Sequence, residues 1–304
     1  MDWINSHFSL HEKLPRPDWD GIYRYVDSNV VSQDHNALWC DIARTWMREL
    51  IAHLPAGYAQ TETDNFILVS NETIRYNNNF LGFLERCRKR LLSTLRGIAS
   101  DAGYGKHVVV IFGEIDHYYD YVSFYGPQEG TYGLSSGMYL NYGYGHFVFQ
   151  HDNLDNAELI AAHEMTHALV DHLPIPAWLN EGMAVNMEAA ICGQMPVLLD
   201  REMFNKHQRF WGEAEMQEFW RGDSFFRPDE GQALSYQLAQ ILVTNLSENY
   251  SAFVEFANQA NRDDGGEAAI DSVFDISLGD MVANFLGEGD WWPQPETWPA
   301  MDCA

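Results

Sequence analysis

The residues of this chain best suited to chemistry lie together at His163-Glu164-Met165-Thr166-His167. Two imidazoles four residues apart, on a helix, stand on one face and can reach one metal ion. A carboxylate beside the first of them is a group that can take up and return a proton. The pattern is H-E-x-x-H, whose chemistry is metal-assisted hydrolysis.

The elements that must position these groups can be read from their flanks. Asp155 or Asn156 is expected to cap a helix whose first turn includes Glu158 and which continues through Leu159-Ile160-Ala161-Ala162. Leu173-Pro174-Ile175-Pro176 ends it, because proline donates no hydrogen bond and restricts the residue before it. A second helix can start at once, with Pro176 in its first turn. It carries Trp178-Leu179-Asn180-Glu181-Gly182-Met183-Ala184 and can bring Glu181 back against the two histidines. Two His and one Glu with an open fourth position form a catalytic zinc arrangement. His172 follows His167 by five residues, a rotation of about 140° away from the ligand face, and is not expected to be a ligand.

His163–His167 followed by Pro176–Ala184 resembles the gluzincin zinc peptidases. It is most similar to the broad peptidase MA-like group, with its H-E-x-x-H and then P-x-W-L-x-E-G-x-A. The resemblance implies Zn2+ as cofactor, held by His163, His167 and the Glu of the E-G pair, Glu181. It extends over about residues 65–287. Ser235-Tyr236, leading into Leu238 to Leu246 and Asn249-Tyr250, is similar to the helix after the metal site. Val273 to Asp280 is similar to the closing helical hairpin. The implied roles are chemically consistent. Zinc lowers the pKa of a bound water toward about 7. Glu164 is placed as general base for that water and then as proton donor to the leaving amine. A tetrahedral oxyanion needs a donor besides the metal, and Tyr236 is the candidate; a tyrosine with its hydroxyl tied elsewhere is the alternative. The chain also departs from relatives of the group. Only 13 residues separate His167 from Glu181, fewer than in thermolysin-like or aminopeptidase gluzincins. Gly137-Met138-Tyr139-Leu140-Asn141 lacks the Glu of the aminopeptidase G-x-M-E-N box. Val170 and Leu173 stand where the metzincin extension needs Gly and His.

Around this segment the chain reads as α+β. Residues 1–60 look mostly helical, with Leu38, Ile42, Trp46, Leu50 and Leu54 at four-residue steps. Strands are expected at Asn65–Val69 and Lys106–Glu114, separated by a helix over Tyr76–Ser100. Thr131–Asn141 and His146–Gln150 read as edge strands or a hairpin, in which Thr131–Gly137 could hold a peptide by backbone pairing. Beyond Asp155 the pattern is helical. The expected fold is a small mixed or antiparallel sheet with an active-site helix, followed by an all-α C-terminal half. The expected division is a helical segment at 1–60, an α+β zinc-binding catalytic region at 61–190, a helical region at 191–288 and a Trp/Pro-rich tail at 289–304, read as an arm packed on the body. Glu188, two turns past Glu181, could accept from a ligand histidine's second ring nitrogen; solvent exposure is the alternative.

Composition limits the partners. The 304 residues include 18 Lys and Arg against 44 Asp and Glu, a net charge of −26. Nucleic acid and anionic membranes need a basic face, so neither is expected as a partner. The cluster Arg86, Arg88, Lys89, Arg90 and Arg96 is read as a face paired with acidic groups. Cys40, Cys87, Cys192 and Cys303 are far apart, with no C-x-x-C pair, which fits reduced thiols. The first residues show no signal-peptide pattern, and no run is apolar enough to span a membrane. The expectation is a soluble protein, favouring the cytoplasm, that acts on a peptide or protein substrate. The alternative function is a catalytically inactive zinc-binding scaffold that keeps a peptidase fold.

Overall fold

A computed structural model describes residues 2–125, 136–193 and 200–299. The fold is α+β, with a mixed five-stranded sheet, a two-stranded antiparallel sheet and a helical C-terminal half. The chain divides into two compact units, Met1–Arg90 with Asp101–Ala168, and Leu91–Ser100 with Leu169–Ala304.

The first unit opens with α1 (Asp2–Asn5) and a hairpin of β1 (Phe8–His11) and β2 (Leu14–Pro17). Residues 1–60 are mostly helical, as expected, and this hairpin is an element within them that was not expected. Its two-residue turn holds Glu12 and Lys13 at φ of 46° and 67°, where such turns favour Gly, Asn or Asp, and Pro15 and Pro17 sit in a strand that proline usually argues against. The residue types at these positions thus argue against the hairpin that forms. Helices α2 (Trp19–Asn29) and α3 (His35–His53) follow, then β3 (Ala59–Glu62) and β4 (Phe66–Ser70). Next come α4 (Ile74–Thr94), β5 (His107–Phe112), α5 (Ile115–Val122), β6 (Gly137–Leu140), β7 (His146–Gln150) and α6 (Leu154–Val170). The long helix after β4 ends at Thr94, short of the expected Ser100. Helix α5 is a second helix among the strands, where one was expected. At eight residues it is too short to show a clear period, although Tyr118, Tyr121 and Val122 form its buried stripe.

The large sheet runs β3-β4-β5-β7-β6. Its centre is parallel, Phe66 facing His107 and Val108 facing His146, while β3 and β6 run antiparallel at the two edges. A parallel centre must be covered on both faces, and the composition of β4 and β5, Phe-Ile-Leu-Val and Val-Val-Val-Ile-Phe, meets that requirement. Ile67, Val69, Val108 and Val110 pack with Trp39, Ile42, Trp46 and Leu50 of α3. On the strands' alternate residues, Phe149 meets Phe80 of α4 edge to face. Arg16 of β2 is fully buried and caps the end of α5, its Nη2 donating to the carbonyls of Asp120 and Tyr121 at 3.2 and 2.6 Å.

The second unit is helical: α7 (Ala177–Cys192), α8 (Arg201–Phe210), α9 (Glu213–Arg221), α10 (Gly231–Ser247), α11 (Tyr250–Gln259), α12 (Glu267–Phe274) and α13 (Leu278–Leu286). Trp178 is its aromatic centre, in contact with Phe219, Trp220 and Phe256, and its indole N–H donates to Gly265 O at 2.9 Å. The tail from Gly289 is anchored on α9. Gln217 donates to Trp292 O, and its own oxygen accepts from Gln294 N and the Trp298 indole. Trp220 donates to Trp291 O at 2.7 Å. Among the described residues no disulfide forms, and Cys40 and Cys87 are buried; Cys303 lies outside them.

Candidate metal centre

Helix α6 sorts its side chains by face. Ala157, Ala161, Ala162, Met165, Leu169 and Val170 are buried, leaving His163, Glu164 and His167 half-buried along the opposite stripe. The N-cap is Asn153, whose Oδ1 accepts from Asn156 N at 3.1 Å, in place of the expected Asp155 or Asn156. Its carboxamide reaches the third helical N–H because Leu154 is already helical. At the far end the Pro174-Ile175-Pro176 stretch breaks the chain. Pro176 is the cap of α7, just outside the first turn, its carbonyl accepting from Leu179 N and Asn180 N.

Helix α7 carries Glu181 two residues past the buried Leu179. The next residue, Gly182, lies where α10 crosses α7. Asn186 of α7 holds the same contact, donating to Gln240 O at 3.1 Å and accepting from Thr244 Oγ1.

His163, His167 and Glu181 come together: one ligand atom from each lies within 4.8 Å of the other two. A point within about 2.8 Å of all three therefore exists, against zinc bonds of about 2.0–2.2 Å. Two imidazole nitrogens and a carboxylate oxygen are donors that suit a borderline metal ion. The His163 and His167 rings are 4.7 Å apart and nearly perpendicular, at 81°. These three form a group that could hold a metal ion, and no other trio of His, Cys, Asp or Glu does so among the described residues. His172 is exposed beyond the helix and takes no part.

Glu164 points toward β6, where its Oε2 accepts from the main-chain N–H of Tyr139 at 2.7 Å. No sequence signal marks this donor, because it belongs to the backbone. Tyr236 stands half-buried on α10 with its ring edge-on to Phe225, at 5.1 Å. Its neighbour Ser235 is fully buried and bonds Ser224 and Gly231 O. Glu188 is half-buried on α7. The expected peptide-holding segment Thr131–Gly137 is described only at Ser136 and Gly137; 131–135 lie outside the described residues.

Around the basic cluster on α4, Arg88 pairs with Asp101, which also accepts from His107 at 2.8 Å. Among the described residues no helix is long and apolar enough to cross a membrane. No family profile matches the chain, and no curated protein is similar to it in sequence.

Proposed function

We propose that this protein is a zinc-dependent peptidase of gluzincin type, hydrolysing peptide bonds in a peptide or protein substrate. The observation that carries the proposal is the convergence of His163, His167 and Glu181 beside the Glu164 carboxylate. A zinc ion, when bound, acidifies a water and polarises the scissile carbonyl. The chain's own groups do the rest. His163 and His167, one turn apart on α6, and Glu181 of α7 form the ligand set. Glu164 takes a proton from the attacking water on its carboxylate and returns it to the departing amine. Tyr236 is the proposed hydroxyl donor to the oxyanion.

The test has two arms. Elemental analysis of protein purified without chelator should find one zinc per chain. A peptide-library digest should show cleavage that Glu164→Gln lowers by about 10²–10⁴ while zinc stays bound. Zinc without any cleavage would instead identify a metal-holding scaffold.

A further inference from the structure

Along β6, main-chain groups alternate between the β7 side and the opposite side. Ser136 O accepts from Gln150 N, and the pairs Met138–Val148 and Leu140–His146 continue that side of the ladder. Gly137 and Tyr139 therefore direct their main-chain N–H groups away from β7, and that of Tyr139 reaches Glu164 Oε2. Gly137 shows why the strand can lie so close to α6. A Cβ there would meet the Phe149 ring and stand 2.9 Å from Ile160 Cγ2. Ile160 and Glu164 are one turn apart, a rise of about 6 Å, and Gly137 and Tyr139 are two strand residues apart, about 6.8 Å. The two repeats match, so strand and helix touch at both points.

We infer that the Tyr139 main-chain N–H is the positioning group for Glu164. It fixes one carboxylate oxygen against the edge strand and thereby orients the other for proton transfer, with Gly137 supplying the close approach that makes the bond possible. This rests on the reading of Glu164 as general base. The Tyr139 side chain is not the active feature: its ring packs on Phe147.

Removing the N–H tests the inference. Proline at an outward-facing edge-strand position removes the donor without breaking the β7 ladder. Tyr139→Ala removes the side chain and keeps the donor. In zinc-loaded protein, Tyr139→Pro is expected to show kcat at least tenfold below Tyr139→Ala, with KM within twofold and equal zinc content. Equal kcat in the two variants overturns the inference. A second readout uses metal-free protein and no substrate. Amide hydrogen exchange at Tyr139 should accelerate at least tenfold in Glu164→Ala, with Met138 and Leu140 unchanged. The same acceleration is expected in Gly137→Ala, which serves if Tyr139→Pro does not fold. Unchanged exchange at Tyr139 in Glu164→Ala overturns the inference. A chain that cleaves nothing while showing the exchange contrast defeats the peptidase reading and leaves the tether supported.

Discussion

A Cβ on Gly182 would stand 2.5 Å from the carbonyl oxygen of Ala239, on the neighbouring helix α10. The contact is with backbone, which cannot rotate away as a flexible side chain could. Gly182 directly follows Glu181, so this close approach of α7 and α10 fixes the segment that carries Glu181. Gly182→Ala should destabilise the protein by about 1–3 kcal/mol, the usual cost of overpacking. It should also weaken metal binding, because α7 must shift. Urea unfolding with and without zinc measures both, and an unchanged midpoint in the metal-free protein would refute the argument.

Glu181→Ala tests the proposed third ligand. It leaves both histidines and Glu164 in place, so the expected outcome is loss of zinc affinity with the metal-free fold intact. Competition against a colorimetric chelator reads the affinity, and circular dichroism reads the fold. Undiminished affinity would place the third ligand elsewhere.

Tyr236→Phe separates the oxyanion role from packing. The ring stays against Phe225 and only the hydroxyl is lost. If the hydroxyl donates to the developing oxyanion, kcat falls by about 10²–10³ with KM little changed. A variant as active as the parent assigns that role to another donor.

His146 makes stability sensitive to acid. Its ring is fully buried and neutral, accepting at Nε2 from Tyr121 OH (2.9 Å) and donating from Nδ1 to Tyr144 O (2.8 Å). Burial foremost, and the Arg16 charge in addition, push its pKa down to about 3 from an ordinary value of 6.5, against the raising effect of the Tyr144 bond. Below pH 6.5 the unfolded chain takes up a proton that the folded protein refuses until about pH 3. Stability is therefore lost as pH falls through that window, by up to ~1.4 kcal/mol per pH unit. Urea unfolding from pH 7 to pH 4 should show a shallower decline for His146→Asn than for the parent. Parallel declines would contradict the assignment.

The net charge of −26 predicts a salt effect. Screening lengths fall from about 10 Å at 0.1 M to about 3 Å at 1 M, so mutual repulsion among the 44 carboxylates should fade. The melting temperature should rise with NaCl over that range. A flat profile, with cleavage collapsing only for Lys- and Arg-rich peptides, would show that the charge serves recognition instead.

Much of the fold was legible where one physical signal dominates. The four-residue steps of α3 and the uninterrupted Val-Val-Val-Ile-Phe of β5 leave little choice of period. The group that could hold a metal ion was legible because its two histidines share a helix and a proline break returns the chain within a few residues. What stayed hidden depends on backbone. The β1–β2 turn places Glu12 and Lys13 in a left-handed conformation that their side chains do not advertise. The donor to Glu164 is a peptide N–H, which every residue but proline possesses. Asn153 escaped notice as a cap because Asp155 and Asn156 are equally good capping types two and three residues later.

The order of strands bears on how the chain assembles. His163, His167 and Glu181 lie within eighteen positions of one another, on two helices joined by a short turn. The sheet is different: β5 forms its parallel pairs with β4 and with β7 across long intervening segments. Loop closure makes such distant pairings the slower events. His163, His167 and Glu181 can thus be brought together by local folding, whereas the bond to Glu164 reaches outside the two helices, to Tyr139 of β6, 25 positions upstream. The His163–His167–Glu181 group and the aim of the Glu164 carboxylate therefore depend on different contacts, and if the group takes a metal ion, a chain lacking only the β6 contact would hold that ion without being able to use it.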